Sequence, residues 1–121
     1  MTAPDSNPKS SFGTKKPSLA LIPQAALVEE AVAFELGAEK YGAYNWRDTS
    51  VSMMVYLNAA LRHIAAFVDG EDVDPESGIS HAAHARACLG IIIDGVTRDY
   101  IIDDRPEPGA AGARIKALTR S

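Results

Sequence analysis

The chain has 121 residues, 46% of them apolar and 23% charged, which places it with ordinary single-domain globular proteins and apart from disordered chains. Twelve basic against sixteen acidic residues give a formal charge of −4, which argues against coating nucleic acid, a task that needs a basic footprint. A chain this small builds only a modest core, so self-association as a homodimer or homotetramer is expected. The single cysteine, Cys88, excludes an intramolecular disulfide and reads as a small core residue. No signal-peptide pattern is present and no apolar run approaches the ~18 residues a spanning helix needs, so the expected location is the cytoplasm, with no membrane partner.

Residues 1–16, rich in Ser, Pro, Lys and Thr, read as a flexible N-terminal arm. Pro17 to Pro23 is a short extended apolar lead-in, because Pro23 biases Ile22 away from the helical region. A helix follows from Pro23 to about Tyr41, with Gly42 as its stop. Gly37 inside it costs roughly 1 kcal/mol relative to alanine, and either allows close approach of a neighbour or only weakens the helix. Ala43 to Val51 reads as a loop. Thr49, Ser50 or Ser52 caps a second helix over about Met53–Val68, whose apolar face is Met53, Leu57, Ala60, Leu61, Ile64 and Val68. Asp69 to Gly78 is an acidic turn broken by Gly70, Pro75 and Gly78. Ser77 or Ser80 caps a third helix, about Ile79–Tyr100, with His81, His84, Cys88, Ile91, Ile92 and Gly95 on one side and Asp94–Arg98 as an i, i+4 pair on its flank. Asp103 to Gly112 ends regular structure. With no repeat and no credible strand pair, the fold class is all-α, a bundle of three to four main helices. Residues 17–103 form the folded domain and 104–121 a tail.

Three clusters carry chemistry. The first is Glu35 with Glu39, about 40° apart on one helix face at 100° per residue, together with Val28, Ala31 and Val32. Carboxylates on such a stripe call for a shared cation, unless this face is wet. Glu29 and Glu30 fall on the other side and read as solvent or capping residues. The second cluster is Glu71 with Asp74, and Glu76 close behind; carboxylates without cysteine favour magnesium or manganese. The third is His81 and His84 at i, i+3, either a chelating pair or, with His63, imidazoles that orient carboxylates. Lys40, Arg47 and Arg62 are candidates for phosphate contact, with Arg47 reading rather as a surface cation. Trp46 beside Asn45 offers a stacking face and an amide, as a nucleobase site does, or else plugs the end of the bundle.

The runs Lys16-Pro-Ser-Leu-Ala-Leu-Ile-Pro23, Gly37-Ala-Glu-Lys-Tyr-Gly42 with Asn45-Trp46, Leu61-Arg-His63, Gly70-Glu71, Asp74-Pro-Glu-Ser-Gly78 and His81-Ala-Ala-His-Ala85 together resemble the phage dATP/dGTP diphosphohydrolases of the MazZ type. These are distant members of the MazG-like all-α nucleoside triphosphate pyrophosphohydrolases. The resemblance spans about Lys16 to Ile93. It implies an oligomeric helical bundle that cleaves a purine deoxynucleoside triphosphate, dGTP and/or dATP, to the monophosphate and pyrophosphate, with two or three Mg2+ or Mn2+ ions. It is the source of the purine preference and of a role in remodelling a phage nucleotide pool within the host cytoplasm.

The broader family carries E-x-x-E followed by E-x-x-D. Here the first pair is spaced four apart, as Glu35 and Glu39, and the second matches as Glu71 and Asp74, in a loop ahead of the helix that the family's second pair opens. The second pair is therefore either the acidic loop or the His81/His84 helix. On this reading Glu35, Glu39, Glu71 and Asp74 hold the ions, and Glu35 and Glu39 are catalytic, with Glu39 the candidate to take the proton from water. Lys40 and Arg62 offset phosphate charge, Asn45 and Trp46 contact the base, and His63, His81 and His84 support the ligands. The alternatives are a non-enzymatic helical module that senses nucleotides or binds protein, and a relative of dUTPases or phosphoribosyl-ATP pyrophosphohydrolases.

Overall fold

A computed structural model describes residues 3–121; Met1 and Thr2, the start of the expected arm, lie outside the described residues. The elements in order are α1 (Pro8–Gly13), a single 3-10 turn (Leu19–Leu21), α2 (Gln24–Tyr41), α3 (Asn45–Asp48), β1 (Val51–Ser52), α4 (Met53–Val68), α5 (His81–Thr97), β2 (Ile101–Ile102) and α6 (Ala111–Leu118). The fold is all-α, as the sequence predicts. α5 is the central element: it packs most extensively on α4 and next on α2.

The helix ends follow local chemistry. Gly42 terminates α2 with φ +90°, a conformation costly for any residue with a Cβ. Of the three candidate caps for α4, Ser52 is the one used: its Oγ accepts from the Val55 N–H. Asp104 adds a second cap from a distance, accepting from the Met54 N–H at 2.9 Å and from the Ser52 hydroxyl. Ser80 caps α5 through the Ala83 N–H.

Several expectations are corrected; regular structure does not end at Gly112, since α6 follows. The segment from Ala43 to Val51 is not all loop, since Asn45–Asp48 makes one helical turn. A strand pair does exist: β1 and β2 run parallel, with Val51 opposite Ile101 and Ser52 opposite Ile102, too short for any alternation to reveal. Gly95 makes that pairing possible, because a Cβ there would sit 2.9 Å from the Cβ of Ile101. α5 starts two residues later than expected and ends at Thr97. Asp94 pairs with Arg47, 47 residues earlier, and not with Arg98.

The core is small and built from small side chains. Ala33 of α2 meets Ala83 and Ala87 of α5, with Phe34 and Ile79 packed against them. This line of contact lies about 160° round α2 from Glu35, taking Ala33 as its centre, so Glu35 and Glu39 stand on an exposed face with Val28 and Val32. Glu30 lies on the contact side and is not a solvent residue: it accepts from Arg86 of α5 at 3.2 Å. Gly37 leaves open space around it, so it does not mediate a helix–helix approach. On α4 the apolar face is buried at Met53 and Ala60, but Leu61 is 61% and Val68 81% exposed. α1 and α6 bury no residue. Among the described residues no helix is long and apolar enough to cross a membrane.

Candidate active site

A cavity of about 740 Å3 opens between α2, α3 and α5. Phe34, Trp46 and Tyr56 give it aromatic walls; Glu35, Asn45 and His84 are among its polar lining groups. The size falls within the ~300–1,000 Å3 of small-molecule sites, and an apolar wall with a few polar groups is their usual make-up.

One end of the cavity is fixed by Trp46. Tyr44 takes the left-handed conformation at φ +56°, which turns the chain into α3 and buries Trp46. The indole N–H donates to Asp94 Oδ2 at 2.7 Å. Arg47 closes a fork on the same carboxylate, Nε to Oδ2 at 2.8 Å and Nη2 to Oδ1 at 2.7 Å, with its guanidinium 4.4 Å above the Tyr44 ring. The bonds from Arg47 and then Trp46 hold the Asp94 carboxyl down at about 2. The Trp46 ring meets Phe34 at 5.9 Å and Tyr44 at 5.6 Å between centroids, both tilted. Trp46 thus closes the bundle end while it lines the cavity.

Beside the cavity lies a histidine cluster drawn from three segments, of which His84 reaches the cavity wall. His63 comes from α4, His81 and His84 from the first turn of α5, and Asp74 and Ser77 from the loop between those helices. Glu71 Oε1 accepts from His81 Nε2 at 2.6 Å, which leaves His81 Nδ1 to accept from His63 Nδ1 at 2.9 Å. The His63 ring stacks on His84 at 4.5 Å, nearly parallel at 10°. His84 Nε2 bonds Ser77 Oγ at 2.7 Å. Burial pushes the pKa of His63 down, and the neighbouring His84 and His81 add to this. Burial also lowers that of His84, with nearby Asp74 opposing. The Glu76 N–H, bonded to Asp74 Oδ1 at 2.9 Å, holds the Asp74 carboxyl below its ordinary range. His63 and His84 are therefore neutral beside an ionised Asp74 at neutral pH.

The expected site residues divide into those the chain gathers and those it does not. His63, Asp74 and His81 come together, each offering one ligand atom, with all three atoms within 4.8 Å of one another. Among the described residues they are the only group of three His, Cys, Asp or Glu side chains placed closely enough to hold an ion. Glu71 joins them through His81. Glu35 lines the cavity, whereas Glu39 stands outside its wall on the same exposed face. Neither belongs to a three-ligand group with Glu71 and Asp74. Lys40, exposed at the end of α2, is close enough for its charge to depress His84. Arg62, exposed on α4, acts likewise on His63 and on Cys88, whose thiol is pushed up mainly by burial. Asn45 opens α3 and lines the cavity. Ser77 was legible only as a possible cap; its bond to His84 has no periodic signal in the sequence. Arg86 Nε is the one buried side-chain polar atom among the described residues without a partner.

A three-helix all-α core with an aromatic cavity opening beside a cluster of imidazoles and carboxylates defines a small helical protein with a pocket of small-molecule size. The chain belongs to the family described as dATP/dGTP diphosphohydrolase, N-terminal, which matches residues 6–105. It is 32% identical over 95 residues to a dATP/dGTP diphosphohydrolase of Salmonella phage PMBT28, a match covering 78% of this chain and 30% of that protein. The chain thus spans under a third of the length of this relative. No solved structure matches it.

Proposed function

We propose that the chain hydrolyses purine deoxynucleoside triphosphates, dGTP and/or dATP, between the α- and β-phosphates, releasing the monophosphate and pyrophosphate for remodelling of a phage nucleotide pool. The observation that carries this reading is that His84 belongs to both halves of the site. It lines the aromatic cavity together with Glu35 and stacks on the histidine cluster, so a nucleotide seated in the cavity lies within reach of both. The relative's printed name supports the substrate class.

Each residue has a task on this reading. The face of Trp46 and the amide of Asn45 receive the base, the indole N–H being already committed to Asp94. Lys40 and Arg62 offset phosphate charge. Glu39 takes the proton from the attacking water, with Glu35 beside it. Two or three Mg2+ or Mn2+ ions polarise phosphate oxygens when bound. Glu35 and Glu39 fit such ions as one or two carboxylates do when substrate phosphates and water complete the shell; one chain does not gather Glu35, Glu39, Glu71 and Asp74 around a common point. Self-association covers the exposed Leu61, Ile64, Phe67 and Val68 of α4, and light scattering on a sizing column reads the resulting mass.

The test incubates the full chain with each deoxynucleoside triphosphate and manganese and resolves the products. Monophosphate with pyrophosphate from dGTP or dATP is the expected result; turnover of dUTP or phosphoribosyl-ATP instead moves the assignment to those relatives. Release of pyrophosphate from none of them makes the chain a binding module. Glu39→Gln is expected to lower turnover by about 100-fold or more, the range of general-base catalysis, with helical content unchanged. Near wild-type turnover in that variant defeats the role given to Glu39.

A further inference from the structure

We infer that His63, His81 and Asp74 form a binding site for one divalent transition-metal ion of the zinc or iron class, separate from the magnesium chemistry assigned to Glu35 and Glu39. The donor set is two imidazole nitrogens and one carboxylate oxygen, all within 4.8 Å of one another. Nitrogen-rich sets select borderline ions, whereas magnesium prefers oxygen throughout.

The geometry is close to that of a filled site. The two Nδ1 atoms are 2.9 Å apart and share one proton. Two bonds of ~2.0–2.1 Å to a metal place their nitrogens about 2.9 Å apart at a right angle and about 3.3 Å apart at the tetrahedral angle. For these two nitrogens an ion therefore replaces the shared proton with movements of a few tenths of an ångström, and Asp74 closes on it from within 4.8 Å. The proton that leaves His63 Nδ1 is taken up at its free Nε2, so the ring stays neutral and no net charge is lost.

The surroundings are those of a ligating histidine. Glu71 accepts from His81 Nε2 at 2.6 Å and leaves His81 Nδ1 turned toward His63, the carboxylate–histidine arrangement that orients a ligating ring. His81 is buried, and the Glu76 N–H orients Asp74. Three protein ligands leave coordination positions open for water or a phosphate oxygen, the arrangement of a reactive site more than of a closed structural one. The ligands come from α4, the acidic loop and α5, so the ion also ties that loop across the two helices.

This inference does not rest on the hydrolase reading, because binding is measured without nucleotide. Full chain stripped of metal by chelation is titrated with Co2+ in excess Mg2+ and followed by visible absorption, then competed with Zn2+. One saturating equivalent per chain is expected. Glu71→Gln is expected to weaken binding by about 10- to 100-fold, the range for a carboxylate behind a ligating histidine, and each of His63→Ala, His81→Ala and Asp74→Asn by more. Glu35→Gln and Glu39→Gln should leave Co2+ binding unchanged. Circular dichroism checks each variant, and His63→Gln serves if His63→Ala unfolds. A readout needing no variant is nitrogen-15 NMR of the imidazoles, in which Zn2+ should switch His63 from the Nδ1–H to the Nε2–H form. Absence of a saturable cobalt band, unchanged affinity in the His63 variant that folds, or a His63 tautomer indifferent to Zn2+ overturns the site.

Discussion

The two ends of α5 use acidic groups in opposite ways. At the C-terminal end Asp94 receives three donors, two from Arg47 and one from Trp46, and its bonding is complete. At the N-terminal end Asp74 takes one backbone donor, His63 keeps a free nitrogen, and two imidazoles share a proton. The first arrangement is finished by folding and anchors the cavity. The second gathers three donor-capable atoms within 4.8 Å of one another, more than folding alone uses. The contrast teaches that pairing is not evidence of a site: the three donors on Asp94 serve architecture, and the bonding left incomplete lies among His63, Asp74 and His81.

The largest effect that separates the two ends is Trp46→Ala. It deletes the buried plug, with loss of about 3–5 kcal/mol in denaturant unfolding. That loss should exceed the loss from His63→Ala under the same conditions; an equal cost at both ends breaks the comparison.

Asp94→Asn gives the next effect and sharpens it through pH. The carboxyl titrates at about 2 in the folded chain against an ordinary 3.8. A depressed folded value means the stabilisation is fully present above pH 3.8 and is lost as pH falls through about 2. The variant should therefore melt below wild type at pH 5–7, and the gap should close toward pH 2. A gap independent of pH removes the charge from the explanation.

The smallest effect is Gly37→Ala. An added Cβ meets nothing within 4 Å, so removing the helix-interior glycine should raise stability by about 0.5–1 kcal/mol. Gly37 lines the cavity, so the same variant should raise KM for the nucleotide while Tm rises. A rise in Tm with KM unchanged places the substrate elsewhere.

Much of the scaffold was legible because it is local. Pro23, Gly42, Ser52 and Ser80 mark the ends of α2, α4 and α5 through first-turn and last-turn hydrogen bonds, which depend on a few adjacent residues. The missing pieces were brief or distant. α3 is one turn and each strand two residues, too short to show a period. The expectation for Glu30 failed because an amphipathic reading fixes only angles round a helix. It does not say which angle the neighbour covers, and α5 covers the side where Ala33 and Phe34 lie.

The sequence by itself determined the helical class, the limits of α2 and α4, the small core and the set of side chains able to do chemistry, since these follow from composition and short-range periodicity. Tertiary structure decided how that set is partitioned. It put Asp94 with Arg47 and Trp46, Glu71 behind His81, and His63 with Asp74 and His81, because each grouping joins segments whose approach is set by packing on α5. A carboxylate's role depends on which donors reach it. That depends on distances across the fold, which spacing along the chain does not encode.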